Sequence, residues 1–351
     1  MSSQAINVMP SYPWRPKFKS LAPDILGGLF TAISTFTIVA ITPLKGKLGF
    51  SLVLIGMAIL TAAVLTGVRK DRKAVTNSVT TVLVYIAAAF VVIPLISILW
   101  EIFSRGISGL SLGIFTRDMS ATSTDAPLNE GGLIHALVGT IYLIVFASAV
   151  STPIGILAAL YIVEVKGKFA GLVRFFVQAM SGVPSIVAGL FLYAVWLITL
   201  GNSYNTFVGA GALAILMIPT VARTAEEVLK LIPNDLREAG LAMGATQWRT
   251  VSMVVIPAAR SGLVTAVILG IARVAGETAP LLLTIGGSDA LNLNPASGNN
   301  AALPQYVWKN LLLGTELSIS RAWLGVMVLI IFVFIFFTLA RVLGAAKGGK
   351  K

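Results

Sequence analysis

Long apolar runs decide what this chain can fold into. Stretches near 24–43, 48–66, 78–100, 133–163, 172–199, 207–225, 255–285 and 322–343 are each of the length that crosses bilayer hydrocarbon as a helix, roughly 20 residues. The chain is 56% hydrophobic and only 11% charged over 351 residues, which is not the composition of a soluble domain. Cysteine is absent, which excludes disulfides and thiolate metal sites, and a single histidine, His135, excludes a histidine cluster. The expected fold class is an all-α polytopic membrane protein of eight helices.

A net charge of +12 raises nucleic acid as a partner, but its distribution points elsewhere. If the first run leaves the cytoplasm, 19 of the 26 Lys and Arg fall in cytoplasmic segments, six outside and one within the membrane. That is the positive-inside bias, so the charge sets orientation. Both termini are then cytoplasmic. The chain divides into a cytoplasmic tail (1–23), a hairpin and basic linker (24–73), a transmembrane domain (74–343) and a basic tail (344–351). Lys45 and Lys47 mark the hairpin turn, Arg69-Lys70-Asp71-Arg72-Lys73 anchor its return, and Lys347, Lys350 and Lys351 close the chain. Residues 101–130 and 286–320 read as external polar segments. The fourth run carries small residues, Gly139, Ala147, Ser148, Ala149, Ser151 and Gly155, which allow close helix packing. The fifth is interrupted by Ser181-Gly182-Val183-Pro184-Ser185, where proline should kink or break the helix. A half-helix starting there would aim free N–H groups into the membrane, a feature suited to anions.

Arg273 lies deep in the seventh run, roughly 24 Å along a straight helix from Pro257. Burying it costs about 2.5–3.5 kcal/mol on insertion scales, so it needs a partner or a use. Glu277, four residues on, is expected on the same helix face. The pair is either a self-neutralising ion pair or an anion site in which arginine's planar fork meets an oxyanion. Charge alone does not separate phosphate from sulfate.

Between the sixth and seventh runs, Pro233–Pro257 is polar-faced. Asp235 can cap a helix, with Glu238 at capping-box spacing. Gly244 is a natural stop, and Thr246 can cap a second helix carrying Gln247, Trp248 and Arg249. No G-x-x-x-x-G-K-[ST] occurs, so the chain has no nucleotide-binding P-loop of its own.

The run Glu238-Ala239-Gly240, three residues, Gly244, nine residues, Val254-x-Ile256-Pro257 resembles the EAA loop of ATP-binding-cassette importer permeases. Gly240 stands for the second Ala, and Val254 and Ile256 for Ile and Leu. Ala272-Arg273-Val274-Ala275-Gly276-Glu277-Thr278-Ala279-Pro280-Leu281-Leu282 resembles the fifth core helix of A-type permeases of the Pst phosphate importer. Ser181–Val187, Val221–Glu227 and Leu291–Asn294 are similar to that family too. The resemblance covers roughly 75–343 and leaves the preceding hairpin outside it.

The resemblance implies a six-helix type I importer core behind the N-terminal hairpin. It implies that Arg273 takes part in phosphate passage with Glu277 beside it, and that Arg223 is a second such arginine or a topological anchor. Ser181 and Ser185 would border the path. Asp235, Glu238, Ala239, Gly240, Met243, Gly244 and Trp248 would form the coupling surface, within a loop at about 229–254. The implied partners are a C-type permease as the other half of a heterodimer, a homodimeric ATPase that binds the ATP and magnesium, and an extracytoplasmic phosphate-binding protein. A permease for another oxyanion, or a phosphate-sensing membrane component without transport, are the alternatives.

Overall fold

The computed structural model describes residues 18–43, 46–68, 71–123 and 126–344. The tail at 1–17, Lys45, Arg69, Lys70, Lys347, Lys350 and Lys351 lie outside the described residues. Among the described residues every long element is helical, and one isolated bridge joins Gly286 to Asn300. Among these residues six helices are long and apolar enough to cross a membrane, and a bent pair adds a seventh if it is one span. The eighth expected span is represented by a shorter apolar stretch, Ile25–Ile41.

The chain forms two compact units, Met1–Leu99 and Trp100–Lys351. In the first, α1 (Phe18–Ile41) and α2 (Lys47–Gly67) make the expected hairpin. Apolar surface gives no drive for helices to associate in hydrocarbon, so close packing and hydrogen bonds hold such a pair. Here Thr31 Oγ1 donates to Thr61 Oγ1 at 3.0 Å, and a Cβ on Gly27 would collide with Leu65 Cδ1. α3 (Arg72–Gly106) follows, with Pro94 inside it.

The second unit is built around α4 (Ile134–Leu160), α7 (Thr206–Lys230), α10 (Ile256–Ala275) and α13 (Glu316–Gly344). The small residues of α4 explain the packing. Ala147, Ser151 and Gly155, four apart, are buried on one stripe. A Cβ on Gly155 would lie 2.9 Å from the Val221 side chain of α7, and one on Gly270 of α10 would lie 2.8 Å from Val221 Cγ2. Three helices therefore meet at Val221 at near-backbone distance. Leu143, Leu213, Met217, Val274 and Leu281 fill the core around them.

Two interruptions matter for the site. Pro184 separates α5 (Ala170–Ser181) from α6 (Ser185–Leu192), and the two halves bend by 100°, as the proline predicts. The seventh run was expected to continue to about 285, but α10 ends at Ala275. The chain turns through Gly276 and restarts as α11 (Ala279–Thr284), with Pro280 in its first turn. The restarted halves pack together, because Gly189 of α6 has no Cβ to fend off Pro280 Cα.

Segment 286–320 is not merely polar loop: it contains α12 (Leu303–Leu313). Its apolar residues Leu303 and Tyr306 are buried in a second core with Leu133, Leu324 and Met327. Asp118 ties this region to 101–130, accepting from Leu291 N at 3.0 Å and from the Ser120 hydroxyl. Those bonds, the Leu291 amide first, hold its carboxyl below the usual range.

Candidate functional site: an intramembrane arginine and a clamped loop

The polar loop folds as α8 (Asn234–Ala242), a turn and α9 (Gln247–Thr250). Gly244 sits at φ +80°, the left-handed region where a Cβ is penalised, and it ends the first helix as expected. Thr246 caps α9, its Oγ1 accepting from Arg249 N at 3.4 Å. The expected cap at Asp235 is not formed. Pro233 holds the N-cap position, Asp235 lies inside the first turn, and no side-chain cap bond is made. With the helix starting two residues earlier, Glu238 loses its capping-box register; Asp235 instead places negative charge at the positive end of the helix.

Asp235, Glu238, Ala239, Met243, Gly244 and Trp248 are all exposed. Met243 is 88% and Trp248 68% accessible. Gly240 is half-buried, and a Cβ there would come 2.6 Å from Thr250 Cγ2. Glycine at that position lets α8 lie directly on the foot of α9.

What holds the loop is a residue that the sequence reading passed over. Arg237 donates from Nη2 to Glu164 Oε1 at 2.7 Å and from Nε to Glu164 Oε2 at 3.0 Å. It also donates to the carbonyls of Ile232 at 2.6 Å and Leu229 at 2.9 Å. The fork thus grips the end of α4, where Glu164 is buried, and the exposed carbonyls at the end of α7. Hydrogen bonding to Glu164 raises the arginine's pKa above its ordinary value. Gln247 Nε2 adds a bond to Glu164 O at 2.6 Å. The signal was available: Glu164 follows directly on the apolar run 133–163. Wide π-helical turns flank this clamp, Tyr161–Val165 after α4 and Val251–Val255 before α10.

Arg273 lies near the end of α10 with an exposed side chain, and its Nη1 donates to Thr220 Oγ1 of α7 at 3.0 Å. Glu277 does not share its helix face. The helix has ended two residues earlier, and Glu277 N bonds to Val274 O at 3.2 Å. No ion pair or hydrogen bond joins Glu277 to Arg273 among the described residues, so the self-neutralising pair is not formed. Arg223, also exposed, stands three residues after Thr220 on α7, one turn along. Ser181 Oγ donates to Val177 O at 3.0 Å, and Ser185 opens α6. Neither serine is hydrogen-bonded to Arg273.

A guanidinium left exposed within an apolar span is costly against lipid and workable against water or a partner subunit. The loop held by Arg237 presents an exposed apolar and acidic surface. The sequence pattern of the binding-protein-dependent transport system inner membrane component matches residues 151–347, more than half of the chain. The chain belongs to this family.

Relatives bear on the permease more closely. It is 37% identical over 264 residues to phosphate transport system permease protein PstA 1 of Mycobacterium tuberculosis (strain CDC 1551 / Oshkosh), covering 75% of this chain and 86% of that one. It is 38% identical over 247 residues to PstA of Haemophilus influenzae, covering 67% and 82%. An inward-facing structure of the MetNI methionine ABC transporter aligns with a TM-score of 0.46 at 21% identity, over 61% of this permease and 91% of that chain. With those PstA relatives, and with six helices among the described residues long and apolar enough to cross a membrane, the permease is a multi-pass transport subunit.

Proposed function

We propose that this permease forms half of an ATP-driven path for inorganic phosphate, with a C-type permease as the other half. The observation that carries the proposal is Arg273: an exposed arginine in an apolar span, bonded to a neutral hydroxyl rather than to an acid. Such a group keeps its charge available for an oxyanion that must arrive and leave. Arg223 and the break at Ser181–Ser185 extend the same path, and Glu277 limits how tightly the anion is held. The relatives' names supply phosphate as the solute. An extracytoplasmic binding protein delivers it, and a homodimeric ATPase carrying ATP and magnesium drives it. Both termini are cytoplasmic, consistent with the basic bias, and α8–α9 is the surface the ATPase grips.

Purification with its partners, followed by phosphate-stimulated ATPase and uptake measurements, tests this reading. Stimulation by phosphate with sulfate and molybdate failing to compete is the expected result. Equal stimulation by sulfate would move the assignment to another oxyanion. Undiminished phosphate uptake in cells lacking the chain would leave it a sensing role. For the coupling surface, Gly244→Asp puts a side chain and a charge where the backbone is left-handed and the space beside it open. Co-purification of the ATPase should fall several-fold. Normal attachment with normal coupling would count against docking at this turn.

A further inference from the structure

A cleft of about 510 Å³ lies behind the clamped loop, bounded by the end of α4, α5, the end of α7 and α8–α9. It is lined by Lys166, Arg174, Lys230 and Arg237, with Glu164 as its one lining carboxylate. Glu226 accepts from Arg174 at 3.0 Å and from Lys230 at 2.9 Å, and Glu227 from Lys230 at 3.0 Å. Counting those acids, four cations still face three carboxylates. The surplus is Lys166, whose ammonium has no hydrogen bond or ion pair among the described residues.

Two further features point to an occupant. Lys166 is the one described non-glycine residue with positive φ, at 51°. A lysine kept where glycine or asparagine would sit more easily is a strained feature of the kind found at binding sites. Thr250, 3% accessible, also lines the cleft, and its Oγ1 is buried without a hydrogen-bond partner. A buried unsatisfied hydroxyl beside cations asks for a polar guest.

We propose that this cleft binds a phosphate-type oxyanion, either free inorganic phosphate or the phosphate of an anionic lipid headgroup. Lys166 supplies the free charge, the Thr250 hydroxyl donates, and the outer edges of Arg174 and Lys230 complete the cradle. An anion there bridges the end of α4 to the foot of the loop, so its occupancy stiffens the joint between them. That regulatory consequence rests on the coupling role proposed above; the binding itself does not.

The test uses the full chain carrying Arg273→Gln, in nanodiscs of phosphatidylcholine, with radiolabelled inorganic phosphate as probe. Saturable binding should persist, weaken about tenfold in Lys166→Gly and several-fold in Thr250→Val. Lys166→Gly suits the positive φ, so that variant should melt no lower than its parent. Phosphatidylglycerol in the discs that displaces the phosphate, or is itself retained in preference to phosphatidylcholine, assigns the cleft to a lipid headgroup. Phosphate binding unaffected by phosphatidylglycerol assigns it to the free ion. No saturable phosphate and no selective lipid retention would overturn the proposal, as would identical binding in Lys166→Gly and its parent. Phosphate bound by the unsubstituted chain but not by Arg273→Gln would likewise overturn it while supporting the pore.

Discussion

Arg273→Gln is expected to abolish phosphate uptake while the complex still assembles. The side chain is exposed, so its replacement opens no core cavity. What disappears is a fixed positive charge in a medium of low dielectric. Losing one preorganised donor slows an enzyme's oxyanion site by roughly 100- to 1,000-fold, and a drop of at least that order is expected here. Arg273→Lys should recover part of the rate, since it restores charge but not the planar fork. The measurement is radiolabelled phosphate uptake by proteoliposomes holding the purified complex, with assembly checked by size-exclusion chromatography. Unchanged flux would refute the pore role of this residue.

The second large effect is at the clamp. Glu164→Ala leaves the Arg237 guanidinium, only 18% exposed, facing a vacated site. Removing one partner of a buried pair costs about 3–5 kcal/mol, and solvent at the rim brings that to roughly 2–3 kcal/mol here. The loop should detach from α4, so ATP hydrolysis should continue while uptake falls. Arg237→Ala in the same chain should recover part of the lost stability, because the stranded charge is gone. A thermal melt of the single and double variants reads the stability, and the ratio of uptake to hydrolysis reads the coupling. A single variant that melts with the parent and transports at the parent's ratio would show that the clamp is decoration.

The transmembrane helices and the loop's outline were legible because hydrophobic run length and turn chemistry are local signals. Pro184 announced its break, and Gly244 and Thr246 announced the stop and the restart. The Arg273–Glu277 reading failed for a local reason as well. Spacing of four implies a shared face only while the helix lasts, and Gly276 ends it. The proline at 280, four residues on, carried a hint of that restart. Glu164 and Arg237 were harder. They lie 73 residues apart, and their meaning appears only when α4 and α8 come together. α12 was hidden by its polar neighbourhood, since Asn292, Asn294, Asn299 and Asn300 precede it and few of its own residues are buried.

The π turn at Val251–Val255 has a consequence for anyone counting along this segment. Such a turn holds one residue more than an α turn does. Each residue advances a helix by about 100°, so a projection drawn unbroken from Gln247 arrives at Arg273 with its azimuth wrong by roughly that angle. The same slip affects the residues that follow α4, from Tyr161 onward. Positions on α10 should therefore be indexed from Ile256 onward, never carried across from the loop.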